Sequence, residues 1–289
     1  MNAVSSTRSK GFSFSLAVLL LILCFSSLGY GQDQPASANA SQPGAPTASG
    51  TPPPAGPDNA WHADMVFYLW FAGAHGTINN GGQTIDFKAS PSELIENLRF
   101  GLMGTVQAQR GRFVFINDLM WIGLRATNQR TLPLPGEPEL SGEAKAREFI
   151  LTPLAGYRVV DRKWIKLDAL MLGFRYWHAG TDLQFSLPSF TGSFSKSWNW
   201  VDPLMGARIL FPLSSKVVVA IAGDAGAWGG AKLDYEIVGA IGYKLSRKFT
   251  LNLGYRYLYI DYRPASDSIY QIAMNGGLIG FTYHFKAPA

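Results

Sequence analysis

Residues 249–262, FTLNLGYRYLYIDY, constrain this chain more than any other stretch. Phe249, Leu251, Leu253, Tyr255, Tyr257 and Tyr259 fall on one face of an extended strand, and Thr250, Asn252, Gly254 and Arg256 on the other. Alternation at period 2 sets an apolar medium on one side and a polar one on the other. A strand of a soluble sandwich runs roughly 5–6 residues. This stretch is about twice that, the length a tilted strand needs to cross a bilayer. It predicts one stave of a transmembrane β-barrel, with apolar side chains outside and hydrophilic ones inside.

Composition supports the barrel and excludes its rival among membrane folds. Charged residues make up 16 % and aromatic residues 13 %, with 31 glycines and a mean hydropathy of only +0.05. A bundle of membrane helices would be far more apolar on average. Alternating strands average each apolar residue against a polar neighbour.

The first 60 residues read as delivery and spacing. Residues 1–31 carry Arg8 and Lys10, a ten-residue apolar core at 16–25 and small residues after it, the pattern of a cleaved signal peptide. Cys24 is the only cysteine and follows the bulky Leu23, which argues against a lipoprotein cysteine. Once the signal is removed, neither a disulfide framework nor a cysteine metal site remains. In residues 32–60, 20 of 29 positions are Pro, Ala, Ser or Gly and none is aromatic. Such a linker buries too little apolar surface to order itself.

Residues 61–285 then supply ten strand candidates: 61–74, 100–110, 112–125, 148–160, 164–177, 199–212, 216–227, 235–245, 249–262 and 269–285. Alternation is clean in some. Thr105, Gln107 and Gln109 oppose Leu102, Val106 and Ala108; Thr152 and Arg158 oppose Leu151, Tyr157 and Val159. It is mixed where Asn117 and Asp118 adjoin, and no face is legible over 165–172. The connections around Gly111, 160–163, 213–216 and 245–248 are tight, whereas 75–99, 126–147 and 178–198 are long. Short turns at one end and long loops at the other is the asymmetry of outer-membrane barrels. The expected fold is therefore all-β: an antiparallel up-and-down transmembrane barrel of about ten strands, within 8–12. One short loop helix starts at Ser90, Pro91, Ser92 and Glu93, which read as an N-cap, a first-turn proline and a capping-box acid. That helix either rests on the rim or plugs the lumen.

The last strand carries Gly280, Phe281, Tyr283 and Phe285, aromatics on one face behind a glycine. The pattern resembles the C-terminal signal read by the barrel-assembly machinery, with residues 286–289 as an unusual extension. Gly276 and Gly277 suggest a bulge that swaps the outward face. Trp121, Trp228, Tyr255, Tyr257, Tyr259 and Tyr283 are candidates for aromatic girdles at the membrane interfaces.

Enzyme motifs are scarce: HExxH, GxSxG and Walker A patterns do not occur. His178, Asp182 and Ser186 could be imagined as a loop-borne hydrolase set, but nothing in their spacing requires it. No catalytic, cofactor or metal residues are assigned. The better constellation is a lumen charge network of Asp202, Arg208, Asp224 and Arg256, because an unpaired charge inside a narrow barrel is costly. Glu236, Lys244 and Asp261 read as rim charges. The net charge of +5 is spread over scattered basic residues, which builds no phosphate track for nucleic acid.

Trp200, Val201, Asp202 and Pro203, then Gly206, Ala207 and Arg208, Gly223 and Asp224, and Gly254, Tyr255, Arg256 and Tyr257 together resemble a widespread family of uncharacterised bacterial outer-membrane β-barrel proteins, loosely grouped with small barrels of the OmpA and OmpW kind. Gly173, Phe174, Arg175, Tyr176 and Trp177 add to the likeness. The resemblance implies an outer-membrane location and no ligand residues. The expected function is a monomeric structural barrel or passive small-solute pore with a narrow charged lumen, surrounded by outer-membrane lipid. The alternatives are an outer-membrane enzyme acting on lipid or peptide, and a surface adhesion module using the long loops.

Overall fold

The computed structural model describes residues 60–80, 83–131, 139–187, 190–227, 229–265 and 268–285. The expected signal peptide, all but the last residue of the expected linker, Trp228 and residues 286–289 lie outside the described residues. Eleven strands and one helix follow in order: β1 (Trp61–Asn80), β2 (Gln83–Ala89), α1 (Pro91–Glu96), β3 (Leu98–Arg110), β4 (Phe113–Thr131), β5 (Glu139–Asp161), β6 (Lys166–Leu187), β7 (Phe190–Pro212), β8 (Val217–Gly226), β9 (Ala231–Lys244), β10 (Phe249–Ala265) and β11 (Ser268–Phe285).

Every strand pairs antiparallel with its neighbours, and β11 returns to β1 from Ala63 opposite Phe285 to Asn79 opposite Ile269. The sheet is thus a closed transmembrane β-barrel of ten staves. β2 and β3 share one stave: β2 pairs with residues 74–80 of β1 and β3 with residues 61–67. Closure leaves no long edge to template aggregation.

Alternation along each stave decides what faces where. On β10, Phe249, Leu253 and Tyr255 are exposed, while Thr250, Arg256, Leu258 and Ile260 are buried. The exterior continues through Phe67 and Leu69, Leu172 and Phe174, and Ile237 and Ile241. Aromatic contacts bound this belt near the short turns, at Phe113 with Tyr157 and Phe249 with Tyr283, and again higher, at Phe100 with Trp121 and Tyr235 with Tyr257 and Tyr259. For a strand rising about 3.4 Å per residue with a tilt near 40°, the girdles on β10 stand roughly 20 Å apart.

Several expectations need correction. The described parts of the long connections at 126–147 and 178–198, residues 126–131, 139–147, 178–187 and 190–198, are strand rather than loop. They are the tall ends of β4 to β7, paired without interruption from Leu124 opposite Ala146 to Thr131 opposite Glu139, and up to Leu187 opposite Phe190. Residues 75–99 likewise hold the top of β1, all of β2 and the helix. At 22 and 23 residues, β6 and β7 are about twice the height a bilayer requires, whereas β8 has only 10. Helix α1 has the full capping box between Ser90 and Glu93, but none of its residues is buried and none lines the lumen cavity. Ladder register runs straight through Gly276 and Gly277, so no bulge swaps faces there. The bulge lies on β6 instead. Asp168 and Met171 both point inward, and the register slips by one residue between them. Leu170, at φ 50°, absorbs the extra residue, which is why no face was legible over 165–172.

The interior is not uniformly hydrophilic. Charges occupy its middle and its short-turn half. Above them an apolar layer packs Trp70, Met120, Ile150, Leu258 and Ile260 with a stacked ladder of Trp177, Trp200 and Tyr262.

Candidate functional site

The lumen has two parts: an ionic layer across the middle and a cavity of about 350 Å³ beneath it, on the short-turn side. Burial makes the geometry of the ionic layer strict, because each charge taken from water needs both a counter-charge and filled hydrogen-bond positions.

Arg175 on β6 is the centre of the layer and is fully buried. Its Nη1 contacts Asp234, its Nη2 lies 2.8 Å from Asp224 and 3.2 Å from Glu236, and its Nε donates to Thr152 Oγ1 at 3.1 Å. Asp234 is held from its other side by Trp177 Nε1 at 3.0 Å. Arg256 on β10 completes the crossing. It reaches Glu236 at 2.6 Å and Asp118 at 3.1 Å, and it donates to the Tyr68 hydroxyl at 2.6 Å. Tyr68 in turn donates to Asp118 at 2.9 Å. One connected set of side chains therefore spans β1, β4, β5, β6, β8, β9 and β10, with two guanidinium groups facing four carboxylates.

A second, smaller group lies lower. The bulge on β6 turns Asp168 between Arg158, at 2.7 Å, and Arg208, at 2.7 Å. Gln109 and Gln107 accept from the free ends of those guanidinium groups at 2.7 and 2.8 Å.

The four lumen charges read from sequence all point inward, Asp202, Arg208 and Arg256 buried and Asp224 partly so, yet they do not form one network. Asp224 and Arg256 belong to the central layer, joined through Glu236. Arg208 belongs to the lower group. Asp202 pairs with no cation among the described residues; it accepts from Trp200 Nε1 at 3.0 Å and from the Ala231 backbone N–H at 2.6 Å, pinning the return from β8 to β9. Glu236 is corrected from rim to interior, whereas Asp261 shares the outward face of β10 with Tyr257 and Tyr259, near the upper end of the strand. Glu236 sits between the two arginines, and Asp261 is buried against Arg263. Lys244 remains exposed, at the mouth of the cavity.

Sequence reasoning missed Arg175 although it noted the surrounding motif. It missed Asp168 because the bulge breaks the alternation, and Asp118 because Asn117 beside it blurs the face. His178, Asp182 and Ser186 do not converge. His178 contacts Asn199, Asp182 pairs with Arg147 and Ser195, and Ser186 meets Thr191. Of the girdle candidates, Trp121, Tyr255, Tyr257, Tyr259 and Tyr283 all lie on the outward face, and Phe281, Tyr283 and Phe285 share that face on β11.

No protein-family profile matches the chain, and no curated protein matches it. Among solved structures it is similar to the outer-membrane protease OmpT from Escherichia coli, with a TM-score of 0.51 at 10 % identity over 79 % of this chain and 98 % of that one. It is also similar to the translocator domain of the autotransporter NalP from Neisseria meningitidis, with a TM-score of 0.41 at 15 % identity over 78 % and 88 % of the two chains. A third is Ail, the attachment invasion locus protein of Yersinia pestis, with a TM-score of 0.33 at 11 % identity over 78 % and 99 %. At such identity the likeness to OmpT concerns the fold alone: the chain has the fold of outer-membrane β-barrels.

Proposed function

We propose that this protein is a sealed barrel of the bacterial outer membrane, structural rather than a standing channel. One observation supports this above the others: the ionic layer through Arg175 and Arg256 ties opposite walls together across the lumen. An aqueous pore wide enough for solutes would leave these charges solvated and apart. The stacked rings of Trp177, Trp200 and Tyr262 fill the section above it. The outward apolar belt with its two aromatic girdles supports insertion in lipid. The even number of staves puts the start of β1 and the end of β11 at the short-turn end, which in this reading faces the periplasm. Insertion is by the barrel-assembly machinery, which reads Gly280, Phe281, Tyr283 and Phe285, and the inserted protein is a monomer.

Planar-bilayer recordings of the purified, heat-modifiable protein test the proposal. The wild type should give no channel events. Replacing both arginines of the layer, Arg175→Ala with Arg256→Ala, should either open measurable conductance or leave a barrel that no longer folds. Steady conductance from the folded wild type would overturn it in favour of a passive pore.

A further inference from the structure

The cavity beneath the ionic layer carries a second constellation at its short-turn end. Asp64 on β1, His284 on β11 and Thr250 on β10 come from three adjacent staves and line the same cavity. Asp64 and His284 are direct partners in the β1–β11 ladder. The His284 Nδ1 lies 2.7 Å from Asp64 Oδ1, and its Nε2 lies 2.9 Å from Thr250 Oγ1. With the ring proton on Nδ1, held by the carboxylate, the Nε2 lone pair faces the hydroxyl.

A carboxylate, an imidazole and a hydroxyl in this order make an activated nucleophile wherever the hydroxyl also meets a space that admits substrate. That condition holds here. Thr250 is 4 % exposed and borders the cavity, as does Lys244, its direct partner on β9. Much of the remaining cavity wall is apolar, with Ile116, Leu154, Leu210, Val218 and Val238. The ionic layer closes the top of the cavity, and the exposed Lys244 with the half-exposed Asp64 and His284 marks its mouth. A simple clamp across the barrel seam would need only the Asp64 and His284 pair. It gives no reason for the second ring nitrogen to address a hydroxyl on the wall of an apolar cavity.

The geometry points to an acyl-transfer site in which Thr250 is the nucleophile, His284 the general base and Asp64 the group that orients the ring, acting on small carboxylic esters with an apolar acyl chain. The Thr250 Oγ bonds to the acyl carbon as its proton passes to His284 Nε2, and the carbonyl electrons move onto oxygen beside the Lys244 ammonium. The tetrahedral centre collapses, the ester C–O bond breaks, and the alcohol leaves with the proton from His284. Water then attacks the acyl-threonine and gives His284 a proton. That proton returns to Thr250 Oγ as the carboxylic acid departs. The sum is ester plus water to acid plus alcohol, with no oxidant or cofactor. The site lies below the ionic layer and does not depend on whether the barrel conducts.

The test uses the purified full-length barrel in detergent, with p-nitrophenyl butyrate as substrate and a fluorophosphonate as covalent probe, its attachment mapped by mass spectrometry. Wild type should hydrolyse the ester above the detergent blank and carry the label on Thr250. Thr250→Val and His284→Gln should each lower turnover by about 100-fold or more while remaining heat-modifiable, and Thr250→Ser should retain it. Asp64→Asn should lower kcat more than it raises KM. Absence of wild-type turnover and of label overturns the assignment. So does equal turnover in Thr250→Val, or a lowered unfolding temperature in these variants as their sole effect, which is the signature of a seam clamp.

Discussion

At the scale of single residues, the barrel depends most on Arg175. It is fully buried with three carboxylates around it, so its removal strands several negative charges away from water. Breaking a buried ionic set from one side costs about 3–5 kcal/mol. Arg175→Met should lower the unfolding free energy in urea by that order. Arg175→Lys should lose less but not nothing, because an ammonium cannot fork between Asp234 and Asp224. A loss below 1 kcal/mol for the methionine variant would mean that the layer is only loosely coupled. Gly276 is a second point of dependence, of a different kind. A Cβ there would lie 2.0 Å from the Phe71 carbonyl oxygen, and the Gly276 carbonyl accepts from Trp70 Nε1. Gly276→Val should therefore abolish the heat-modifiable band on gels, and normal folding of this variant would refute the close approach.

At the scale of elements, the tall ends of β5 and β6 differ from the wall below them. Their outward faces carry paired charges rather than apolar side chains: Glu143 with Lys145 and Arg125, and Asp182 with Arg147. Both carboxyls are held below the usual range. Asp182 is held mainly by the hydrogen bond from Ser195 and then by Arg147, and Glu143 by Lys145 and then Arg125. A carboxyl whose folded pKa is depressed adds stability that is complete above its unfolded pKa near 4 and is lost as pH falls through the folded value. Acidification from pH 7 to about pH 3 should thus loosen these ends before the wall. The readout is amide hydrogen exchange over residues 142–147 and 180–186, corrected for intrinsic rates; equal protection at both pH values would contradict it. Exposed pairs are weak, so the effect should stay local. The tall ends also show why the element boundaries were hard to read. Once a strand leaves the lipid its outward positions turn polar, the alternation in polarity fades and the sequence looks like loop. The hydrogen-bond ladder nevertheless continues, because hairpin pairing needs only the neighbouring strand.

At the scale of the whole molecule, the barrel is charged across its middle and apolar outside, in its upper interior and over part of the cavity wall below the ionic layer. In the proposed orientation the short-turn end faces the periplasm and the tall ends of β4 to β7 face the cell exterior. Ser246, in the β9–β10 turn, and Gln184, high on β6, are both exposed and lie at opposite ends. Cys24 is the only native cysteine and falls within the stretch expected to be a signal peptide. Gln184→Cys should therefore react with an impermeant maleimide on intact cells, and Ser246→Cys only after the outer membrane is permeabilised. The reverse pattern would invert the topology.

What the sequence determined by itself was the solvent of each face. Period-2 alternation at bilayer length, tight turns at one end and low charge sufficed for a closed transmembrane sheet and for the inward direction of Asp202, Arg208, Asp224 and Arg256. What only the tertiary structure decided was partnership. Arg175 meets Asp234 and Asp224 because curvature brings β6 opposite β8 and β9; Asp168 points inward because one extra residue is absorbed at Leu170; His284 stands between Asp64 and Thr250 because the first and last strands close on each other. Alternation is local along a strand and survives in the linear order. Contacts across a lumen depend on stave count, tilt and register, and no short window of sequence contains them.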